Sequence, residues 1–127
     1  MVVNAKNDQV VCLEFAKGSE HDFSLFKRSR LPINSNILAR VDTGYAGIKD
    51  YHANTAIPKR SSKLHKLTPD EKANNKELSR LRVVNEIVTG HLKINRILSE
   101  KYRGRQKNFC LIFTLIAAIY NLKIMGF

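Results

Sequence analysis

The stretch VDTGYAG, residues 41–47, places a carboxylate at the end of an apolar run and a Thr-Gly pair directly after it. The run NILARV before it reads as a strand, which ends at Asp42. Gly44 and Gly47 then open a turn into a short helix, AGIKDYHAN. An acid in this position is either a turn residue capping the helix that starts near Ala46, or a ligand mounted on a rigid strand end.

Upstream, MVVN and QVVCLEFAKG are apolar segments separated by the polar AKND, the pattern of a β-hairpin. EHDFSLFKRSR follows with Phe23, Leu25 and Phe26 near helical spacing. Ser19 or Asp22 is the expected cap of that helix, and Pro32 its stop. Downstream, PKRSSKLHK (58–66) has no apolar periodicity and reads as a basic loop. LTPDEK then announces a helix: Thr68 as N-cap, Pro69 at the first helical position, Glu71 closing a capping box and Asp70 favouring the dipole. The helix is expected from Pro69 to about Ile97, bent near Gly90. A second basic stretch, EKYRGRQK (100–107), leads to a final apolar helix, NFCLIFTLIAAIYNLKI. The order β-β-α-β-α-α-α makes this an α/β fold.

The chain of 127 residues suffices for one domain. At 43% hydrophobic it has the means to build a core, which excludes a disordered tail. Lys and Arg number 22 against 11 Asp and Glu, a net charge of +11, so the surface attracts polyanions, nucleic acid first among them. Cys12 and Cys110 lie far apart in apolar company and read as buried thiols in a reducing compartment; neither has a second Cys or His at zinc-ligand spacing. The N-terminal sequence lacks the pattern of a signal peptide. The final apolar run is interrupted by Thr114 and Asn121 and falls short of the ~20 residues of a membrane span, so a buried helix and no membrane partner are expected.

On a helical wheel of residues 69–97, Leu78, Leu81, Val84, Val88 and Leu92 form one apolar sector and Val83, Ile87, Ile94 and Leu98 another. Between them runs a polar strip with Asn75, Arg82, Glu86, Thr89 and Lys93. This predicts a mostly buried helix whose carboxylate, Glu86, faces a narrow polar seam. The plainer alternative is an Arg82–Glu86 pair on a solvated strip, worth only about 0.2–0.5 kcal/mol.

From His21 onward the chain resembles bacterial insertion-sequence transposases of the DDE superfamily, in the subgroup related to the Harbinger elements. The resemblance is carried, in order, by AKGSEHDFSLFKRS (16–29), VDTGYAGI (41–48), LTPDEKANNKELSRLRVVNEIVTGHLK (67–93) and RILSEKYRGRQKNFCLIFTLIAAIYNL (96–122). Asn85 and His91 depart from the usual residues of that pattern. The resemblance implies a ribonuclease-H-like fold with Asp42 as the second catalytic acid and Glu86 as the glutamate, both ligands of Mg²⁺, with Mn²⁺ as an alternative. Two such ions ~3.5–4 Å apart stabilise the entering and leaving oxygens of phosphodiester cleavage and strand transfer. DNA, as transposon ends and target, is the implied partner. Lys93 is the first choice for a phosphate contact, followed by Lys59, Arg60, Lys63, Lys66, Arg103, Arg105 and Lys107. The implied setting is the bacterial cytoplasm, at the nucleoid.

The family's first acid lies on a strand that precedes the hairpin, and Asp8 and Asp22 are not placed to replace it. The expectation is a single partial catalytic domain over 1–127, an incomplete ribonuclease-H-like fold lacking its first strand and inactive alone. Two unpaired strand edges would follow. The competing reading is a non-enzymatic basic DNA-binding protein, or an inhibitor forming mixed oligomers with full-length transposase. A basic ribosome-associated protein has only charge in its favour.

Overall fold

The computed structural model describes all 127 residues, in two compact units. One consists of Met1–Phe15 and Val83–Phe127, the other of Ala16–Arg82. The boundary between them falls inside a single helix.

The first unit opens with the hairpin. β1 (Val2–Val3) and β2 (Val10–Cys12) pair antiparallel, Val2 opposite Cys12 and Val3 opposite Val10, with a register irregularity between the pairs. The polar turn closes through Asn4 N–H to the Gln9 carbonyl at 2.8 Å and Asp8 N–H to the Asn4 carbonyl at 2.9 Å. Asp8 sits at φ 58°, a region Asp tolerates better than most residues. The core of this unit is Val10, Val88, Leu92 and Ala117, with Val84, Phe113, Ile116 and Tyr120 packed around it. The Asn121 amide completes the strand: its Nδ2 donates to the Val10 carbonyl and its Oδ1 accepts from the Val10 N–H, both at 2.9 Å. A side chain thus stands in for a neighbouring strand along β2.

In the second unit, α1 (Asp22–Ser29) is capped by His21, whose Nδ1 accepts from the Phe23 N–H at 3.3 Å. The expected caps are corrected accordingly: Ser19 lies outside the helix and Asp22 in its first turn, on the favourable side of the dipole. The helix ends at Arg30 in a left-handed conformation, ahead of Pro32. β3 (Ala39–Arg40) leads to Asp42 as expected, but it pairs in parallel with a strand the sequence reading lacked, β4 (Thr55–Ala56). The helix expected over 46–54 is instead two 3-10 turns, Thr43–Tyr45 and Ile48–Asp50. Ile48, His52, Thr55 and Leu78 are buried. Phe23, Phe26, Tyr45 and Tyr51 form a cluster of ring contacts around α1. The strands therefore form two separate two-stranded sheets rather than parts of a continuous one.

α2 (Pro69–Lys93) starts where the capping box places it. The Glu71 N–H donates to Thr68 Oγ1 at 3.2 Å, and Glu71 Oε2 accepts from the Thr68 N–H at 3.0 Å. It ends at Lys93 rather than near Ile97, because the Asn95 N–H and its Nδ2 both donate to the Leu92 carbonyl. A short α3 (Arg96–Ser99) follows. Of the first apolar sector Leu78, Val88 and Leu92 are buried but Leu81 is exposed, and of the second Val83, Ile87 and Ile94 are exposed. The expectation of a mostly buried helix is corrected to a helix buried along one sector.

α4 (Gln106–Ile124) forms as expected but is not buried. Only Ala117 is fully covered, while Leu111, Leu115, Ile119 and Leu122 are half-exposed or more. With its 19 residues and mean hydropathy of 1.4 it is long and apolar enough to cross a membrane, by length and composition alone. That corrects the expectation of a run too short for a span. A helix that is apolar all round has no sequence mark for the face that packs. Cys12 and Cys110 are free and half-buried rather than buried.

Candidate functional site

Asp42 stands at the end of β3 and caps the Thr43–Tyr45 turn. Its Oδ1 accepts from the Gly44 N–H at 2.6 Å, and its carbonyl from the Tyr45 N–H at 3.1 Å. The side chain is exposed, and Oδ2 has no protein partner. A Cβ at Gly44 would meet Asp42 Oδ1 at 3.0 Å and His21 Cε1 at 3.6 Å, so a side chain there would crowd the carboxylate. Gly47 follows at φ 88°, where L side chains are strained. The capping alternative read from the sequence is realised, one turn earlier than expected. The local field is negative: burial first, then the charges of Asp22 and Asp42, push the Tyr45 phenol above its ordinary pKa.

Glu86 belongs to the other unit and lies on the exposed strip of α2. It forms no ion pair with Arg82, although the i,i+4 spacing allows one. With Asn85, Thr89, Gly90 and Lys93 it lines an open depression of about 430 Å³. Lys93 is exposed there, one helical repeat beyond Glu86 on the same face. Asp42 and Glu86 belong to different units. No group of three or more His, Cys, Asp or Glu side chains is close enough to hold a metal ion.

The basic residues divide by what they already hold. Lys59 Nζ pairs with Glu71 Oε1 at 2.7 Å, and Arg60 Nη2 donates to the Thr43 carbonyl at 2.9 Å. Lys63, Lys66, Arg103, Arg105 and Lys107 are exposed and carry no ion pair. The loop over 58–66 is fastened to α2 by Asn75, whose Oδ1 accepts from the Lys59 N–H at 2.9 Å and whose Nδ2 donates to the Lys59 carbonyl at 2.8 Å. Glu71 is the hub of this region. The Lys59 ammonium, then the Thr68 N–H, with a weaker bond from His65, pull its carboxyl from 4.5 to about 2. The sequence gives Glu71 only its capping role; its links to Lys59 and His65 cross 12 and 6 residues and follow no periodicity.

Compared with known proteins, residues 1–122 match the profile of the family described as "Transposase DDE domain". Over 124 residues the chain is 41% identical to the "Probable transposase for insertion sequence element IS702" of Microchaete diplosiphon. The match takes in 98% of this chain and 45% of that protein, so the chain spans less than half of that relative's length. No solved structure matches it.

Proposed function

The chain belongs to the family of transposase DDE domains, and from that premise we propose that it carries two divalent-metal ligands, Asp42 in one unit and Glu86 in the other, for the cutting and joining of DNA strands in transposition. The observation that carries this reading is the Asp42 turn: an exposed strand-end carboxylate held through Oδ1 alone. Glu86 supports it as a second exposed carboxylate without an internal counter-ion. Hard carboxylate oxygens are the donors that Mg²⁺ takes, and Mn²⁺ accepts the same set. When bound, such ions neutralise charge on the phosphate oxygens and activate the attacking hydroxyl or water.

The protein's own contribution is placement. The turn holds Asp42 on a short strand end, and α2 presents Glu86 and Lys93, two turns apart on one face, along one depression. Lys93 Nζ is suited to a phosphate oxygen beside the glutamate. Lys63, Lys66, Arg103, Arg105 and Lys107 supply sequence-independent attraction to the DNA backbone, an effect that weakens steeply with salt. In this reading the sheet pairs and α2 are part of a ribonuclease-H-like domain, and two acids fall one short of the family's set of three. The 127 residues alone are therefore expected to bind DNA and leave it uncut.

The test is a Mn²⁺ titration of the 127-residue chain followed by amide NMR. Paramagnetic broadening is expected at Thr43–Tyr45 and around residue 86. Asp42→Asn and Glu86→Gln should each remove the broadening at their own position. Broadening that survives both substitutions sinks the ligand assignment, and robust DNA cleavage by these 127 residues sinks the claim of an incomplete acid set. A second reading, a DNA-binding inhibitor that joins full-length transposase, is favoured by the net charge of +11 and the exposed apolar face of α4. Retained DNA binding in the Asp42→Asn/Glu86→Gln double variant, with no metal site in the parent, selects it.

A further inference from the structure

We infer that Arg60 is a positioning residue for Asp42, an inference that rests on the reading of Asp42 as a metal ligand. Charge and sequence place Arg60 among the phosphate contacts. The geometry gives it a different task. Its Nη2 donates to the Thr43 carbonyl at 2.9 Å, across 17 residues of chain. Thr43 is the residue between Asp42 and Gly44, whose N–H holds the Asp42 carboxylate. The guanidinium therefore grips the peptide in the middle of the turn that carries the acid.

The grip has a fixed origin. Lys59, the preceding residue, is bound to Asn75 of α2 through both its backbone N–H and its carbonyl. Its ammonium pairs with Glu71 in the first turn of the same helix. α2, the basic loop and the Asp42 turn thus form one chain of polar links inside the Ala16–Arg82 unit. The turn itself is only a 3-10 segment of three residues after a two-residue strand, and its own hydrogen bonds are few. An exposed carboxylate on so short a segment wanders unless something outside the segment holds it. Tyr45 packs on Phe23 and Phe26 at the far end of the turn, and Arg60 is the tie that reaches the peptide next to the Asp42–Gly44 bond. A guanidinium suits the task, since it is always charged and offers several N–H groups in a rigid fork.

The sign of one measurement separates this role from a charge effect. A cation near a metal site repels the metal, so removing a charge alone tightens Mn²⁺ binding. Loss of a positioning bond weakens it. In the Mn²⁺ titration, Arg60→Gln is expected to weaken binding at Thr43–Tyr45 about 2- to 10-fold, the order that one lost hydrogen bond gives. Lys63→Gln removes the same charge from the same loop without a brace, and is expected to leave binding unchanged or slightly tighter. Asn75→Ala, which frees the origin of the grip, should weaken binding in the same direction as Arg60→Gln but less. Amide exchange at Gly44 and Tyr45 should quicken in Arg60→Gln and not in Lys63→Gln, with the urea midpoint of both near the parent. Tighter Mn²⁺ binding in Arg60→Gln, or unaltered Gly44 exchange, overturns the inference. If the parent shows no broadening that depends on Asp42, the metal reading is what fails, and the exchange rates still decide whether Arg60 holds the turn.

Discussion

The two units hold their candidate acids by different means. In Ala16–Arg82 the strands and 3-10 turns are very short, and polar links tie them to one another and to the first half of α2: the Asp42–Gly44 cap, the Arg60–Thr43 brace, the Asn75 clamp and the Glu71 hub. In the unit of Met1–Phe15 and Val83–Phe127, Glu86 rides on a long helix whose opposite side is the apolar core. A polar tie fixes an atom to a few tenths of an ångström but is individually weak. An apolar core fixes an element firmly and leaves a surface side chain such as Glu86 free to change rotamer. The difference assigns stability to one unit and side-chain precision to the other.

The largest expected effect breaks the core side of this contrast. Val88 and Leu92 are 0% and 1% exposed, one helical turn apart on α2. Leu92→Ala removes buried carbon and leaves a cavity, so the loss should be about 2–5 kcal/mol. Urea unfolding monitored at Val10 or Ala117 measures it. A loss below about 1 kcal/mol would mean that the site collapses around the smaller side chain and that the core is loosely packed.

Next comes the polar side, through the start of α2. Thr68→Ala removes the acceptor for the Glu71 N–H and should cost about 0.5–2 kcal/mol. The same corner makes the second unit sensitive to acid. Glu71 is held at about 2 against an ordinary 4.5, so its folded pKa is depressed. The contribution of its ionised form is complete above pH 4.5 and is lost as pH falls from there toward 2. Stability followed between pH 6 and 2 should fall in that window in the parent and fall less in Glu71→Gln. The size of the step is limited by solvent screening of an ion pair whose Lys59 is mostly exposed.

How much of this was legible follows from the range of each interaction. The capping box is a bond over three residues, and Thr68 and Glu71 are found where the pattern puts them. The hairpin is local as well, and so is the place of Asp42 directly after a strand. β4 left no trace, since two residues ahead of Pro58 acquire strand geometry only by pairing with β3, which lies 16 positions away at Ala39↔Thr55. His21 was missed as a cap because imidazole is outside the usual set of short oxygen side chains. The Arg60 brace joins a loop side chain to a distant carbonyl, and such a bond has no period to read. Burial of α4 failed for the opposite reason: every face carried the apolar signal, so none could be singled out.

The smallest expected effect concerns that helix and sharpens the contrast furthest. Leu115 lies on α4 two positions from buried Ala117 and is 53% exposed, so the two point to opposite sides. If the outer face of α4 is open to water, Leu115→Lys removes no packed contact, and stability should change by no more than about 0.5 kcal/mol. Leu111, Ile119 and Leu122 share this exposed condition, so a lysine here lies among apolar neighbours but not in a core. The measurement is urea unfolding at several protein concentrations. A loss above about 2 kcal/mol that grows with concentration would show the face covered in solution by another copy, since partner binding makes stability depend on concentration. In that case the unit that holds Glu86 would rest on a covered α4 face as well as on its core, and the contrast with the polar ties around Asp42 would widen.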